Sequence, residues 1–359
     1  MSPPSAPPRF IKGRGAVSDR DGRFAKQTVD LCPEEAEARQ DSAPASVYTA
    51  MQAGKIIASN SSPDVPFNRS INPYQGCEHG CIYCYARPSH SYLDLSPGLD
   101  FESRIFYKPN AAERLEAAWS HPGYQCEPIT IGANTDPYQP LEKVQKITRQ
   151  LLQLFLKHRH PVNLITKGTL IQRDIDLLAA LAERRLCSVA LSLPTLDSEL
   201  KRLMEPRVPS AQSRLKLMAS LTAAGIPVST LLAPLIPAIN DHEIEAVLEA
   251  VAAHGATQAH YVFLRLPHEV RPLFTEWLET HFPDRAGHVM SLVRQAGGGK
   301  DYNSAFGVRQ RGRGAYADML ARRFETAARR HGLTRNRYQQ RLDCAQFQPP
   351  GQRQLGLDF

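Results

Sequence analysis

Three cysteines fall close together in CEHGCIYCYAR, Cys77 to Arg87, with the spacing C-x3-C-x2-C. Thiolates so spaced can each take a different iron of a cubane while one loop wraps it, which leaves the fourth iron without a protein ligand. A bare iron is a docking point. S-adenosylmethionine (SAM) can chelate it through its amino and carboxylate groups, which sets the sulfonium beside a [4Fe–4S] cluster. One electron then breaks a sulfur–carbon bond and frees a 5′-deoxyadenosyl radical; the protein supplies position and shielding from water. Cys77, Cys81 and Cys84 are therefore the candidate metal ligands, and Tyr83 is placed to cover an adenine. On spacing alone three alternatives stay open: zinc with His79 or a distant cysteine as fourth ligand, a structural or electron-transfer cluster with a fourth cysteine, and cysteines that fall together by coincidence.

The remaining cysteines, Cys32, Cys126, Cys187 and Cys344, stand alone. An odd total spread over 359 residues argues against a disulfide framework and for a reducing compartment. Composition is that of a globular protein, 42% hydrophobic and 22% charged. The most apolar stretch, Ile226 to Ile239, is too short for a membrane span and is broken by Pro227, Pro234 and Pro237. The opening MSPPSAPPRF has no apolar segment, so a cytoplasmic protein without a membrane partner is expected. Net charge is +7, with the excess gathered between Arg294 and Arg341. That field suits a nucleic acid partner, and equally a solvated helical face.

These residues need a frame. Residues 1–66 are rich in Pro, Ser and Gly and read as an irregular extension, disordered over the first ten; GRGAVSDRDGRF within it is a phosphate-contacting or simply flexible loop. From there strands are expected at Ser70–Tyr74, Pro128–Ala133, Val162–Thr166, Ser188–Leu193, Val228–Ala233 and Ala259–Leu264. Helical patterns lie between them: Asn110 to Trp119, Leu141 to His158, Arg173 to Arg185, Ser210 to Ala224 before Gly225, and Asp241 to His254 before Gly255. Six such units imply a parallel sheet curled by right-handed crossovers into a partial (βα)6 TIM-type barrel, an α/β fold, over residues 67–268. Residues 269–341 read as a basic helical extension (Arg271–His281, Pro283–Gln295, Tyr316–His331), and 342–359 as a flexible tail.

In such barrels functional groups gather at the C-terminal strand ends. The cysteine loop follows the first expected strand, Asn134, Thr135 and Asp136 the second, and Lys167 the third. Ser192 closes the fourth, Ala233 the fifth, and Arg265 the sixth. Each alone is an ordinary loop or surface residue; together they line a pocket for a charged cofactor.

With these motifs in place, the chain resembles the radical SAM superfamily, and within it the group around spore photoproduct lyase, described as DNA repair photolyase-like. The likeness runs from Gly13 to Gly332 and rests on SPDVPFNRSINPYQGCEHGCIYCYARPSH, IGANTDPYQPLE, ITKGTLIQRDIDLL, MEPRVPS and LLAPLIPAINDHEI. It implies Cys77, Cys81 and Cys84 as cluster ligands, and Tyr83, Tyr85, Thr135, Lys167, Ser192 and Ala233 near SAM. Arg207, after Glu205 in MEPRVPS, is expected to help close the pocket. One departure stands out: where the lyase carries a cysteine that returns hydrogen to its product, this chain has Ala133, so the lyase's own route is not expected. Cys126 reads as a buried structural thiol.

The expectation is thus a radical SAM enzyme acting on nucleic acid, fed by an electron donor such as flavodoxin or ferredoxin. A peptide or small-molecule substrate is the enzymatic alternative, and a metal-stabilised nucleic-acid-binding protein the non-enzymatic one. No base-stacking aromatic motif marks the extension.

Overall fold

The computed structural model describes residues 11–25, 45–333 and 342–351. Among these, ten strands form two sheets: β1 (Val47–Ala50), β2 (Ile57–Ser59), β3 (Arg69–Ile71), β4 (Tyr74–Gln75), β5 (Arg104–Tyr107), β6 (Ile129–Ile131), β7 (Val162–Thr166), β8 (Cys187–Ser192), β9 (Val228–Leu235) and β10 (Gln258–Phe263). The larger sheet runs β10-β9-β8-β7-β6-β3-β2 and is parallel except for the β2–β3 pair. Its six parallel strands are those expected, arranged as the open (βα)6 barrel. Tyr74, expected at the end of the first, belongs instead to β4 in a small second sheet, β1-β5-β4. Two short strands, β1 and β2, lie in the stretch 1–66 that reads as irregular.

Strand alternation sorts the residues that matter. Val162, Leu164, Cys187, Val189, Leu191, Val228 and Leu232 are buried, and the Cys187 thiol donates to the Leu178 carbonyl at 3.2 Å, so this face meets the helices. The alternate residues Asn163, Ile165, Ser188, Ala190, Ser229 and Leu231 are half-buried and face the lumen. Side chains two apart share a face. Lys167, Ser192 and Ala233 therefore inherit the lumen face at the strand ends.

The helices follow the expected pattern with three differences, one of them a short additional helix at Leu99–Ser103. Leu141 to His158 is not one helix; it splits into Glu142–Gln145 and Ile147–Lys157, with Lys146 at φ 53° between them. The buried Glu142 carboxylate turns inward and accepts from the Thr148 and Arg149 amides at 3.0 and 3.3 Å, which caps the second piece as an N-terminal carboxylate does. A further helix, Ser198–Met204, is capped by Asp197, whose side chain accepts from Glu199 and Leu200 amides. The C-terminal helices are Val270–His281, Pro283–Ala296 and Ala315–Arg330.

Opposite the cysteine loop, at the N-terminal strand ends, Trp119 stacks on His160 at 4.6 Å and 11°. Phe347 meets His160 at 4.9 Å and Tyr124 at 5.6 Å. Residues 342–351, expected to be part of a flexible tail, are held there by a paired contact of Gln348 with His158: amide to carbonyl, and carbonyl to ring Nδ1, both at 2.9 Å. The expected disorder of residues 1–10, together with Cys32, Arg335 and Arg337, falls outside the described residues. No described helix is long and apolar enough to cross a membrane.

Candidate active site

The cysteine loop is built before any metal is considered. Gly76 has φ +79°, and a Cβ there would sit 2.9 Å from the His90 ring, so the turn into Cys77 requires glycine. The Cys77 amide donates to the Phe101 carbonyl at 2.9 Å and Ile82 to Met204 at 3.1 Å. Arg87, wholly buried, braces the loop from within: its guanidinium donates to the carbonyls of Cys81, Pro97 and Gly98 at 3.0, 3.0 and 2.8 Å and pairs with Glu102. Glu102 also accepts from the Gly15 and Ala16 amides at 3.0 and 2.9 Å, which straps the N-terminal segment over the loop. The separate extension therefore serves as a wall of the site.

Cys77 and Cys84 pack with Ala86 and Phe101, and the Cys77 thiol faces Asp136, Cys81 and Cys84. Burial, with Asp136 and the neighbouring thiols adding to it, holds Cys77 well above the ordinary thiol range. Burial raises Cys81 to about 12 although Lys167 opposes it. A bound cation reverses this, because a coordinated thiol is ionised outright.

Asp136 ties three strand ends together. Its carboxylate accepts from Thr166 Oγ1 at 2.6 Å, the Lys167 amide at 2.7 Å and the Tyr138 amide at 2.9 Å, and pairs with His79 Nδ1 at 3.2 Å. Burial alone would raise its pKa; His79 and these donors outweigh it and bring it to about 2. Asp136 is thereby a positioning residue, and His79, the alternative zinc ligand, is its partner. Thr135 Oγ1 donates to the Tyr74 carbonyl at 2.9 Å, and Asn72 Oδ1 accepts from the Asn134 and Thr135 amides.

Lys167 projects beside Cys81, its ammonium 5.8 Å from the centre of the Tyr83 ring. Burial lowers its pKa, and Cys81, Glu205, Asp136 and Cys84 together raise it, with a net upward result. The ammonium therefore keeps its charge. The Tyr83 hydroxyl donates to Glu205, Glu205 pairs with Arg214 at 3.0 Å, and Arg214 donates to the Ser192 carbonyl at 2.7 Å. Ser192 in turn donates to the Ala233 carbonyl at 3.3 Å. This chain of contacts links the cysteine loop to β8 and β9. Arg214 was not singled out in the sequence, yet a signal exists: it occupies the buried stripe Ala211, Arg214, Leu215, Met218, Leu221 of its helix, and a buried arginine needs a partner.

Other expected residues lie differently. Tyr85 is 44% exposed at the lumen mouth, its hydroxyl donating to the Ala133 carbonyl and its ring 5.0 Å beneath the Arg265 guanidinium. Arg207 turns away to Glu78 at 3.3 Å and Ser46 at 3.4 Å, in a cleft with Lys12, Arg14 and Tyr48. Of the C-terminal arginines, Arg294 pairs with Asp301, Arg309 with Asp64 and Arg323 with Glu245. Lys300, Arg311, Arg322, Arg329 and Arg330 are exposed. Cys126 is half-buried, with its thiol close to that of Cys344.

Among the described residues no three His, Cys, Asp or Glu side chains are placed to hold one metal ion. An all-sulfur set spread round one loop fits a polynuclear group that takes one thiolate per iron.

A three-thiol loop at the C-terminal strand ends of an open parallel barrel, with a half-buried lysine and a buried ion pair beside it, defines an enzyme built to hold a reactive cofactor in the lumen. The chain belongs to the radical SAM superfamily, whose family profile matches residues 71–251. It is an enzyme of that type, and membership implies a [4Fe–4S] cluster and SAM. An uncharacterised protein of Mycobacterium tuberculosis is 36% identical over 233 residues, 64% of this chain and 68% of its own. The radical SAM Nalpha-GlyT isomerase of Pseudomonas phage M6 is 27% identical over 239 residues, 64% of this chain and 46% of its own. Spore photoproduct lyase complexed with dinucleoside spore photoproduct shares the fold, with a TM-score of 0.57 over 80% of each chain at 12% identity.

Proposed function

We propose that Cys77, Cys81 and Cys84 hold one [4Fe–4S] cluster, that SAM binds at its open iron under Lys167 and Tyr83, and that the substrate is a nucleic acid. The carrying observation is the set of three thiols on one braced loop with a charged lysine beside Cys81. When bound, the cluster and SAM supply reductive cleavage of a sulfur–carbon bond and a 5′-deoxyadenosyl radical that abstracts hydrogen. The protein's part is positional. Lys167 offers a positive charge to a carboxylate, Tyr83 places its ring beside that lysine, and Asp136 holds the three strand ends together. Arg265 over Tyr85 narrows the mouth and adds a cation where an anionic substrate would enter.

Support for nucleic acid comes from the exposed Lys300, Arg311, Arg322, Arg329 and Arg330, and from the lyase structure that carries a dinucleoside photoproduct on a similar fold. The setting we propose is cytoplasmic, as a reducing compartment suits the free thiols. Anaerobic reconstitution with iron and sulfide, reduction in the presence of SAM, and assay for 5′-deoxyadenosine test the chemistry; no product, or a protein that takes up zinc alone, overturns it. Oligonucleotide binding titrated against salt tests the substrate: phosphate contacts give an affinity that falls steeply as salt rises. No binding at low salt overturns that part and leaves the radical chemistry standing.

A further inference from the structure

The electron has to enter from outside, and the lumen is reserved for SAM and substrate. On the other side of the cysteine loop lies a cleft of about 390 Å³ lined by Lys12, Gly13, Arg14, Ala45, Ser46, Tyr48 and Arg207. Three of the seven are cations. Two buried carboxylates face them, both already engaged: Glu102, beside Arg14, pairs with Arg87, and Glu78 pairs with Arg207 and accepts from Ser46 at 2.9 Å, Tyr48 at 3.0 Å and the Leu141 amide at 3.1 Å. Burial lowers the pKa of Arg14, Glu102 opposes that, and the like charge of Arg207 nearby lowers it further. With Glu102 offset by Arg87, three cations against Glu78 leave the cleft a net positive field, and Tyr48, 45% exposed, lines it.

Its floor is the cysteine loop. Glu78 is the residue after Cys77, the Arg207 amide donates to the His79 carbonyl at 3.4 Å, and Gly15 packs on the Gly80 carbonyl, where a Cβ would come within 1.8 Å. A continuous path runs from the Tyr48 ring through its hydroxyl to Glu78 and on to the Cys77 backbone. Fixed positive charge around a small aromatic centre suits weak, fast, electrostatically steered encounters, which is what electron-transfer partners use.

We infer that this cleft is the docking surface for an acidic one-electron carrier protein, which delivers its electron through the Tyr48–Glu78–Cys77 route. The inference rests on the iron–sulfur reading above. In the step, the reduced carrier loses one electron and the group held by Cys77, Cys81 and Cys84 gains it; no proton moves and no bond is made.

The test uses reconstituted full-length protein, reduced flavodoxin as the probe and dithionite as a chemical control, with Lys12→Glu and Ala45→Glu as variants and Arg114→Glu, on a distant exposed helix position, as the charge control. Flavodoxin should bleach the visible absorbance of the wild type at a rate that falls with salt. Lys12→Glu and Ala45→Glu should slow that rate about tenfold at low salt, with matching losses in flavodoxin affinity by titration, and converge on the wild type at high salt. Dithionite should reduce all four proteins equally, and Arg114→Glu should behave as wild type. Equal flavodoxin rates in the variants, or no reduction of the wild type at low salt, overturn the inference. So does a loss confined to inorganic phosphate or oligonucleotide binding, which would make the cleft an anion site. A protein that takes up no iron or sulfide fails before any carrier is added, and that outcome overturns the underlying reading instead.

Discussion

The two ends of the barrel are made of opposite materials. At the C-terminal strand ends the interior is polar and charged: Arg87 with Glu102, Arg214 with Glu205, Asp136 beside His79, and the half-buried Lys167 among thiols and carboxylates. At the N-terminal ends the interior is a box of rings, Trp119, His160, Tyr124, Phe155 and Phe347. Packing of rings contributes stability directly, whereas a buried ion pair contributes little net stability and a great deal of position. The strands connect a foundation at one end to an instrument at the other, so damage at the two ends should separate.

The largest separation is expected from Cys81→Ala. It should remove the cluster and with it all 5′-deoxyadenosine formation, read by iron and sulfide analysis, while urea unfolding of the metal-free protein changes little. Trp119→Ala should do the reverse, lowering stability by about 4 kcal/mol, with normal cluster loading of the fraction that stays folded. Arg214→Met tests whether the upper end is tied as described. It strands a buried Glu205 and should cost about 3 kcal/mol by chemical unfolding, and Glu205→Gln in the same chain should restore part of it.

Acid should act at the ring end. Burial holds the folded-state pKa of His160 at about 3, below its unfolded value, so its contribution is intact above about 6.5 and lost as the pH falls toward 3. Stability should drop by about 2 kcal/mol from pH 7.5 to 5 on this account, and His160→Gln should flatten that slope in urea titrations. The smallest effect belongs to Lys167→Met: about tenfold weaker SAM binding by equilibrium titration, worth about 1.4 kcal/mol, with iron content unchanged. Loss of iron in that variant would make the lysine part of cluster assembly instead.

The six parallel strands were legible because each is a β-branched or apolar run bounded by loop residues, and because strand-end positions follow from parity. The four others were not. β4 has two residues, β2 has three, and β1 is exposed throughout, so none carries an alternating pattern long enough to read. The break at Lys146 was hidden because it depends on Glu142 turning inward, a tertiary choice that helical periodicity does not record. At the candidate site, the meeting of the cysteines, Lys167 and Asp136 at one end of the sheet was legible, since loop spacing and strand-end position put them there. Arg207 was singled out by its neighbourhood in the chain; in the structure it pairs with Glu78, a contact between residues far apart in the chain that the sequence does not record. Arg214 reached the site from a helix whose other buried residues are apolar or small.

Asp136 has one more consequence. Because a single carboxylate gathers donors from β7, its own loop and His79, the electrostatic order of the lumen is settled when the chain folds. Polar groups fixed in place before a ligand arrives spare its binding the cost of ordering them. The cradle is cast first and filled afterwards.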